Sequence, residues 1–462
     1  MAETPAGTPG RPVSLGDTPG ATSTGPTRRD VLRGAATGAV AAGLGGSRQA
    51  SAASTKPATR VGANEKITVG LIGAGGMGMY NMGDFKRSPH IRMAAVCDVD
   101  AERMARAAKQ AGGSGILQFK DYRALLDRKD IDAVICGTPD HWHALVTVHA
   151  CQAGKDVYCE KPLAHNIKEG RAMVDAARRY GRVVQVGTQQ RSGEHFQKAV
   201  EIVRSGKLGK ITSCRTWNYG NSAPTGIGNR ADSVPPSHVD YDMWLGPAPK
   251  RRFNPNRFHY NFRWFFDYAG GMLTDWGVHL MDIVLWGMQV KHPRSATAVG
   301  GKYALKDNRD TPDTLDVVYD FVDFVLTYSY RTCNAEKVNN RKYGISFHGT
   351  NGTLIVDRRG YEVRPDTRKE GNKDVPRMKR AKAGKSDQHW PHVQNFIECV
   401  RTRARPIADI EEIHRTTTLT HLGNIAYHVG RRVHWDGENE RIIGDKEADR
   451  LTGRVMRAPY TL

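Results

Sequence analysis

A chain of 462 residues with 39% hydrophobic and 25% charged residues has the length for two or three domains with sizeable cores, and its composition excludes a disordered or fibrous protein. Lys and Arg number 68 against 48 acids, a formal charge of +20, but the bases are spread along the chain without a DNA- or RNA-binding motif, so nucleic acid is not an expected partner. Beyond the leader described next, the apolar stretches are short and broken by charge, which excludes a membrane-spanning helix there.

Residues 1–26 are rich in Thr, Pro, Gly, Ser and Ala, a composition that leaves a segment disordered. Arg28 and Arg29 then precede a weakly hydrophobic run, Gly34–Gly46, and an Ala50-x-Ala52 site places cleavage before Ala53. This reads as a twin-arginine signal, with Thr27 and Val31 departing from the usual consensus. It makes the twin-arginine export machinery an expected partner and the periplasm or exterior the expected location. That route moves folded proteins, so a cofactor would be acquired and tightly held before export.

From Lys66 the run Ile67–Ile72 is apolar and β-rich, and it leads into Gly73-Ala74-Gly75-Gly76-Met77-Gly78 and a helix start. This is G-x-G-x-x-G between a strand and a helix, the dinucleotide fingerprint in its required context. Gly73 serves the tight turn, Gly75 the approach of backbone to pyrophosphate, and Gly78 close helix–strand packing; Gly76 and Met77 complete the loop. The helix N-terminus offers free N–H groups to the phosphates. The next strand, Ile91–Cys97, ends at Asp98, where a carboxylate accepts hydrogen bonds from the adenosine ribose. It also repels a 2′-phosphate, so NAD is expected over NADP. A helix at Ala101–Ala111 and a strand at Ile131–Cys136 continue the alternation of a doubly wound parallel sheet.

Further on come Thr138-Pro139 with His143, a helical segment Ala144–Ala153, and Glu160-Lys161-Pro162 after a short strand. Gln189 and Arg191 follow the strand at Arg182–Val186. Gly220–Pro249, rich in Pro and Gly, reads as a long ordered loop over a cleft. The aromatic run Phe262–Phe266, with Arg263 and Trp264 inside it, and Trp244 read first as core and second as flat surfaces on which a ligand ring could stack. Gly270–Asp282 carries Asp275 and His279, which a helix would place one turn apart on one face. An acid and an imidazole so placed suit orientation of a hydroxyl and removal of its proton. Strands at Ile211–Tyr219, Ser295–Gly300, Asp316–Arg331 and Gly344–Val356 crowd together without helices between them, which predicts a large, mainly antiparallel sheet. The basic stretch 368–385 reads as a solvated loop, and His392–Thr402 and Glu411–Val429 as amphipathic helices. The seven cysteines form no C-x-x-C pair and read as small core residues. His141-x-His143, His389, His392 and His421 lack metal-ligand spacing, so no metal site is expected.

Four pieces in this order, Gly73–Gly78, Thr138-Pro139 with His143, Glu160-Lys161-Pro162 and Asp275-x-x-x-His279, resemble the Gfo/Idh/MocA oxidoreductases, and the resemblance runs from about Lys66 to about Val433. It implies an α/β protein with an N-terminal Rossmann domain and a C-terminal α+β domain built on a large antiparallel sheet. The corresponding boundaries are a leader at 1–52, a linker at 53–65, an NAD(P)-binding domain at 66–187, a substrate and oligomerisation domain at 188–435 and a tail at 436–462. It further implies hydride transfer between NAD(P) and a sugar, sugar derivative or cyclitol, in a homo-oligomer. Lys161, Asp275 and His279 are the implied catalytic group, and which of Lys161 and His279 is the main acid–base residue is open. Thr138, Pro139, His143, Glu160 and Lys161 join the glycine loop and Asp98 around the cofactor, while Gln189, Arg191, Arg263 and Trp264 are candidate substrate contacts. Two alternatives use the same residues: a glycoside hydrolase working through transient oxidation by retained NAD, and a non-catalytic sugar or cofactor sensor.

Overall fold

The computed structural model describes residues 66–462; the twin-arginine segment, its cleavage site and the 53–65 linker lie outside the described residues. Strands β1 (Ile67–Ile72), β2 (Ile91–Cys97), β3 (Leu117–Phe119), β4 (Ala133–Cys136), β5 (Asp156–Cys159) and β6 (Val184–Val186) alternate with helices α1 (Gly76–Lys86), α2 (Ala101–Ala111), α3 (Tyr122–Leu126), α4 (Asp140–Gln152) and α5 (Ile167–Arg179). All six strands are parallel, in the order β3-β2-β1-β4-β5-β6. β1, β4 and β5 are buried along their whole length, as strands covered by helices on both faces must be. Strand order reverses between β1 and β4, so a crevice opens at their carboxyl ends.

The chain then adds α6 (Glu194–Arg204), β7 (Ile211–Tyr219), α7 (Tyr241–Leu245), α8 (Val278–Met288), β8 (Ser295–Gly301), β9 (Thr314–Asp320), β10 (Val325–Arg331), β11 (Tyr343–Gly349), β12 (Gly352–Asp357) and β13 (Gly360–Pro365). After these come β14 (Thr367–Glu370), β15 (Lys373–Pro376), β16 (Ala381–Gly384), α9 (His389–Thr402), α10 (Ile410–Val429), β17 (Val433–Asp436), β18 (Arg441–Ile443) and α11 (Lys446–Arg450). Ten strands form one sheet, β16-β13-β12-β11-β7-β10-β9-β8-β17-β18. β7 and β10 run parallel; the other pairs are antiparallel. Along β9, Leu315, Val317 and Tyr319 are buried while Asp316 and Val318 are exposed, so one face packs on the helices and the other is open. The fold is thus α/β, a Rossmann sheet followed by a domain with a large mixed, mostly antiparallel sheet.

The single strands expected at Asp316–Arg331 and Gly344–Val356 are each two antiparallel strands joined by a turn, β9–β10 and β11–β12, and three further segments depart from the sequence reading. The stretch 368–385 is not a loop: β14 pairs with β15, and β16 pairs with β13 at the edge of the large sheet. Every residue of β14 is exposed, so no apolar alternation marks it in the sequence. Helix α9 was expected in the second domain, but its Val393, Phe396, Ile397 and Val400 pack among Ile67, Val69, Phe85 and Tyr158 of the first. The segment 436–462 is not a free tail. It supplies β18 and α11, and Arg454 Nε returns to Glu169 Oε1 at 2.6 Å while Tyr460 stands edge-on to Trp142. Its few apolar side chains, Ile442, Ala448 and Tyr460, do pack on the cores, but they are too sparse to form a periodic signal, and the Arg454–Glu169 ion pair adds a tie that composition does not show.

Helix α10 joins the two domains. Its start (Ile410, Ile413) lies in the Rossmann core and its end (Leu419, Leu422, Ile425) in the core under the large sheet. All seven cysteines are free thiols, six of them buried. Among the described residues, no helix is long and apolar enough to cross a membrane.

Candidate functional site

The crevice is a cavity of about 370 Å³ that begins at the glycine loop and ends at Lys161, Arg263 and Asp275. Gly73 turns the chain with φ +89°, and a Cβ on Gly78 would stand 2.0 Å from the Gly73 carbonyl oxygen, so α1 can approach the turn only without a side chain there. Gly76 meets nothing within 4 Å, and with Gly75 and Met77 it lines the cavity. This open backbone cradle at the start of α1 fits a pyrophosphate.

Asp98 ends β2 on the same cavity. Its Oδ2 accepts from the Ala74 amide at 2.6 Å and its Oδ1 from the Asp100 amide at 2.9 Å, so the carboxylate also fixes the glycine loop. Burial pushes the Asp98 carboxyl up, while those amides and Arg103 act in the opposite direction. Arg103 and Lys120 line this end too. Thr138, Pro139 and Glu160 form the floor. Glu160 Oε1 accepts from Asn81 Nδ2 at 2.8 Å, locking the Glu-Lys-Pro turn to α1. His143, expected on the cavity, stands behind its wall: its ring nitrogens lie 2.8 Å from the Pro162 carbonyl and 2.9 Å from that of Thr138. Cys136, His143 and Cys159 present ligand atoms within 4.8 Å of one another, but the imidazole is already committed to those two loops.

At the far end, Lys161 Nζ donates to Asp275 Oδ1 at 2.6 Å and to the Asp275 carbonyl at 3.1 Å. Arg263 Nη1 donates to Asp275 Oδ2 at 2.5 Å. Burial alone would push the Asp275 carboxyl up, but Lys161 and Arg263 outweigh it and hold the group well below the usual carboxylate range. Asp275 belongs to a π-helical turn, Leu273–Gly277, that runs into α8, so it and His279 are successive along one continuous but locally widened helix rather than a regular one. His279 is 4% exposed and its Nδ1 is buried without a partner. Burial, then the charges of Arg358 and Lys161, lower its pKa far below the ordinary imidazole value, leaving it neutral.

Of the four candidate substrate contacts, only Arg263 reaches the cavity. Arg191 is instead interior: its Nη2 and Nε bind Asp282 at 2.7 and 2.9 Å, with the two side chains 4% and 1% exposed. A guanidinium so deep needs a counter-charge, and α8 supplies it. Gln189 is buried in the short helix Gln189–Ser192, and Trp264 lies under the Arg309 guanidinium at 4.2 Å; neither lines the cavity. The loop 220–249 does reach it, through Met243 and Trp244, and is pinned to the first domain by a bridge between Val239 and Asp100.

Sequence reading missed Asp140, His259 and Tyr260, which line the cavity. Burial, and next the nearby Asp275 charge, push the Asp140 carboxyl up to about 8. Asp140 follows the Thr138-Pro139 pair directly, so its position carried the signal; its burial did not show.

Two family models match the chain: the oxidoreductase family, NAD-binding Rossmann fold, over residues 67–188, and the oxidoreductase family, C-terminal alpha/beta domain, over 200–314 and 366–462. Inositol 2-dehydrogenase of Rubrobacter xylanophilus is 34% identical over 168 residues, 36% of this chain and 48% of that protein. A glycosyl hydrolase family 109 protein of a Shewanella species is 30% identical over 203 residues, 40% of this chain and 44% of that protein. The chain thus spans about half the length of the curated relatives it matches. The solved structure of a levoglucosan dehydrogenase in complex with NADH and levoglucosan superposes with a TM-score of 0.62 at 19% identity, covering 80% of this chain and 99% of that one. With both domains matched in order by models of one family, the chain belongs to the Gfo/Idh/MocA oxidoreductases.

Proposed function

We propose that the protein is an NAD-dependent oxidoreductase acting on a CH–OH group of a sugar, sugar derivative or cyclitol. The observation that carries this reading is the Lys161–Asp275–Arg263 cluster at one end of a cavity whose other end is the glycine loop and Asp98. The matched inositol and levoglucosan dehydrogenases support the substrate class.

The glycine loop and the α1 N-terminus would hold the pyrophosphate, and Asp98 the adenosine ribose. When bound, the nicotinamide supplies the hydride acceptor or donor. The residues of the chain must then manage the hydroxyl proton. His279 does not line the cavity, but its Nδ1 has no partner. It would take up the proton from a substrate seated beside Lys161, its lowered pKa making it a weak base. The Lys161 ammonium, aimed by two oxygens of Asp275, donates a hydrogen bond to the same substrate oxygen and stabilises negative charge developing there. Asp275 stays ionised and acts by fixing Lys161 and Arg263.

The test mixes the full chain with NAD and a panel of free sugars, cyclitols and aryl glycosides, following reduced-cofactor fluorescence and aglycone release together. Fluorescence rising in proportion to substrate consumed is the expected result. NAD binding with neither signal would overturn the reading. Aglycone release without accumulating NADH would replace it with the NAD-retaining glycosidase, the alternative that the Shewanella relative favours. The leader, we propose further, directs twin-arginine export; changing Arg28 and Arg29 to Lys should then retain the protein in the cytoplasmic fraction.

A further inference from the structure

We propose that Arg358 recognises an anionic group, a carboxylate or a phosphate, on the substrate, so that the enzyme acts on acidic rather than neutral sugars. This deepens the proposed function and rests on it.

Arg358 sits in the turn between β12 and β13, beside Asp357 and Arg359. Asp357 is the obvious counter-ion, yet it is spent elsewhere: Arg359 Nε holds its Oδ2 at 3.0 Å and Arg341 holds its Oδ1. Arg359 turns outward, with its side chain 59% exposed. Arg358 turns inward and lies 4.9 Å above the Trp276 ring. Its Nε is buried and has no hydrogen-bond partner, and among the described residues no acid, carbonyl or hydroxyl pairs with its guanidinium.

That is unusual within this protein. Arg191 has Asp282, Arg263 has Asp275, Arg309 has Asp307 and Arg454 has Glu169. Arg358 as a whole is half-buried, but its Nε is shut off from water without a partner, and buried donors are normally satisfied. Trp276 follows Asp275 in the chain and stands edge-on to His279 at 6.2 Å between ring centres, so Arg358 is one aromatic ring away from the proposed proton-handling group. Lys161 and Arg263 share Asp275 as their counter-ion, whereas among the described residues Arg358 has no acid paired with it and keeps its Nε unpaired. Burial lowers the Arg358 pKa against the charges of Tyr343, Asp275 and Glu160, and after burial the Arg358 charge is the next cause that lowers that of His279. A planar guanidinium presents parallel N–H groups that match the two oxygens of a carboxylate or phosphate.

The experiment compares NAD-loaded full chain on matched substrates: glucose with glucuronate and glucose 6-phosphate, and galactose with galacturonate. The expected result is kcat/KM at least about tenfold higher for an anionic member, preference for the uronates marking a carboxylate and for the sugar phosphate marking a phosphate. In Arg358→Gln the preference should collapse toward unity through KM, with NAD affinity within about twofold. If that variant folds poorly, Arg358→Lys keeps the charge without the fork and should lose most of the preference. Neutral sugars oxidised as well as the acidic ones, or a preference unchanged in both variants, would overturn the proposal while leaving the oxidoreductase reading intact. If no sugar at all is oxidised, that reading fails instead. Quenching of tryptophan fluorescence by glucuronate or glucose 6-phosphate then decides for Arg358: quenching lost in Arg358→Gln supports the anion site, and equal or absent quenching overturns it.

Discussion

Lys161 and Asp275 lie 114 residues apart in the chain, yet Nζ and Oδ1 meet at 2.6 Å, with the Asp275 carbonyl as a second acceptor. One residue closes the Rossmann edge after β5; the other sits in the π-helical turn ahead of α8. The ammonium is therefore aimed by the packing of two domains against each other, and a small shift between them would misdirect it.

Asp275→Asn keeps the shape of the side chain but removes the charge that Lys161 and Arg263 share. Two cations with side chains only 13% and 19% exposed are then left facing each other. The expected cost is about 3 kcal/mol of stability, read from urea unfolding, with turnover reduced at least about 100-fold. Lys161→Met leaves Asp275 paired with Arg263, so it should lose turnover similarly while keeping the fold and NAD affinity. Wild-type-like turnover in both variants would remove these residues from the chemistry.

The Asp140 carboxyl, raised to about 8 by burial and by Asp275, ties stability to pH. A carboxyl whose folded pKa lies above its unfolded one keeps its proton longer in the folded state. Its contribution is fully present at low pH and is lost as pH rises from the unfolded value through about 8. Asp140→Asn has no such proton to lose. The variant and wild type should differ little near about pH 4, and the variant should be more stable by about 2–4 kcal/mol near about pH 9. Thermal melts across that range check it; parallel curves would contradict the assignment.

Gly78→Ala puts a methyl 2.0 Å from the Gly73 carbonyl oxygen, and the obstacle is backbone. Either α1 or the turn must move, so NAD affinity should fall at least about tenfold and the melting temperature should drop. Gly76→Ala is the control, since its Cβ meets nothing within 4 Å; the fold should tolerate it. Calorimetric titration with NAD and thermal melts on both variants separate loop geometry from general damage.

Asp282→Ala strands the Arg191 guanidinium in the interior and should cost about 3–5 kcal/mol. Because neither residue lines the cavity, the folded fraction should bind NAD as the wild type does. Loss of cofactor or substrate affinity out of proportion to unfolding would return Arg191 to the site.

The sequence by itself determined the local units. β1, the glycine turn and α1 are legible because an apolar run, a G-x-G-x-x-G spacing and a helix start interact within a dozen residues of one another. Ile211–Tyr219 is likewise a strand over the bounds its pattern predicts. Glu160-Lys161-Pro162 and Asp275-x-x-x-His279 were recognisable as motifs, and the structure brings Lys161 and Asp275 into contact. The tertiary structure decided what each unit meets. Arg191 and Arg263 are the same residue type in similar contexts, and only the partner separates them: Asp282 draws one into the core, Asp275 draws the other to the cavity. The amphipathic face of α9 was legible, but not that it covers the Rossmann sheet. Arg358 carries no motif, and its inward turn follows from Asp357 being taken by Arg341 and Arg359. Periodicity and turn chemistry act between neighbours in sequence, whereas the pairing of buried charges depends on which distant elements α10 holds together.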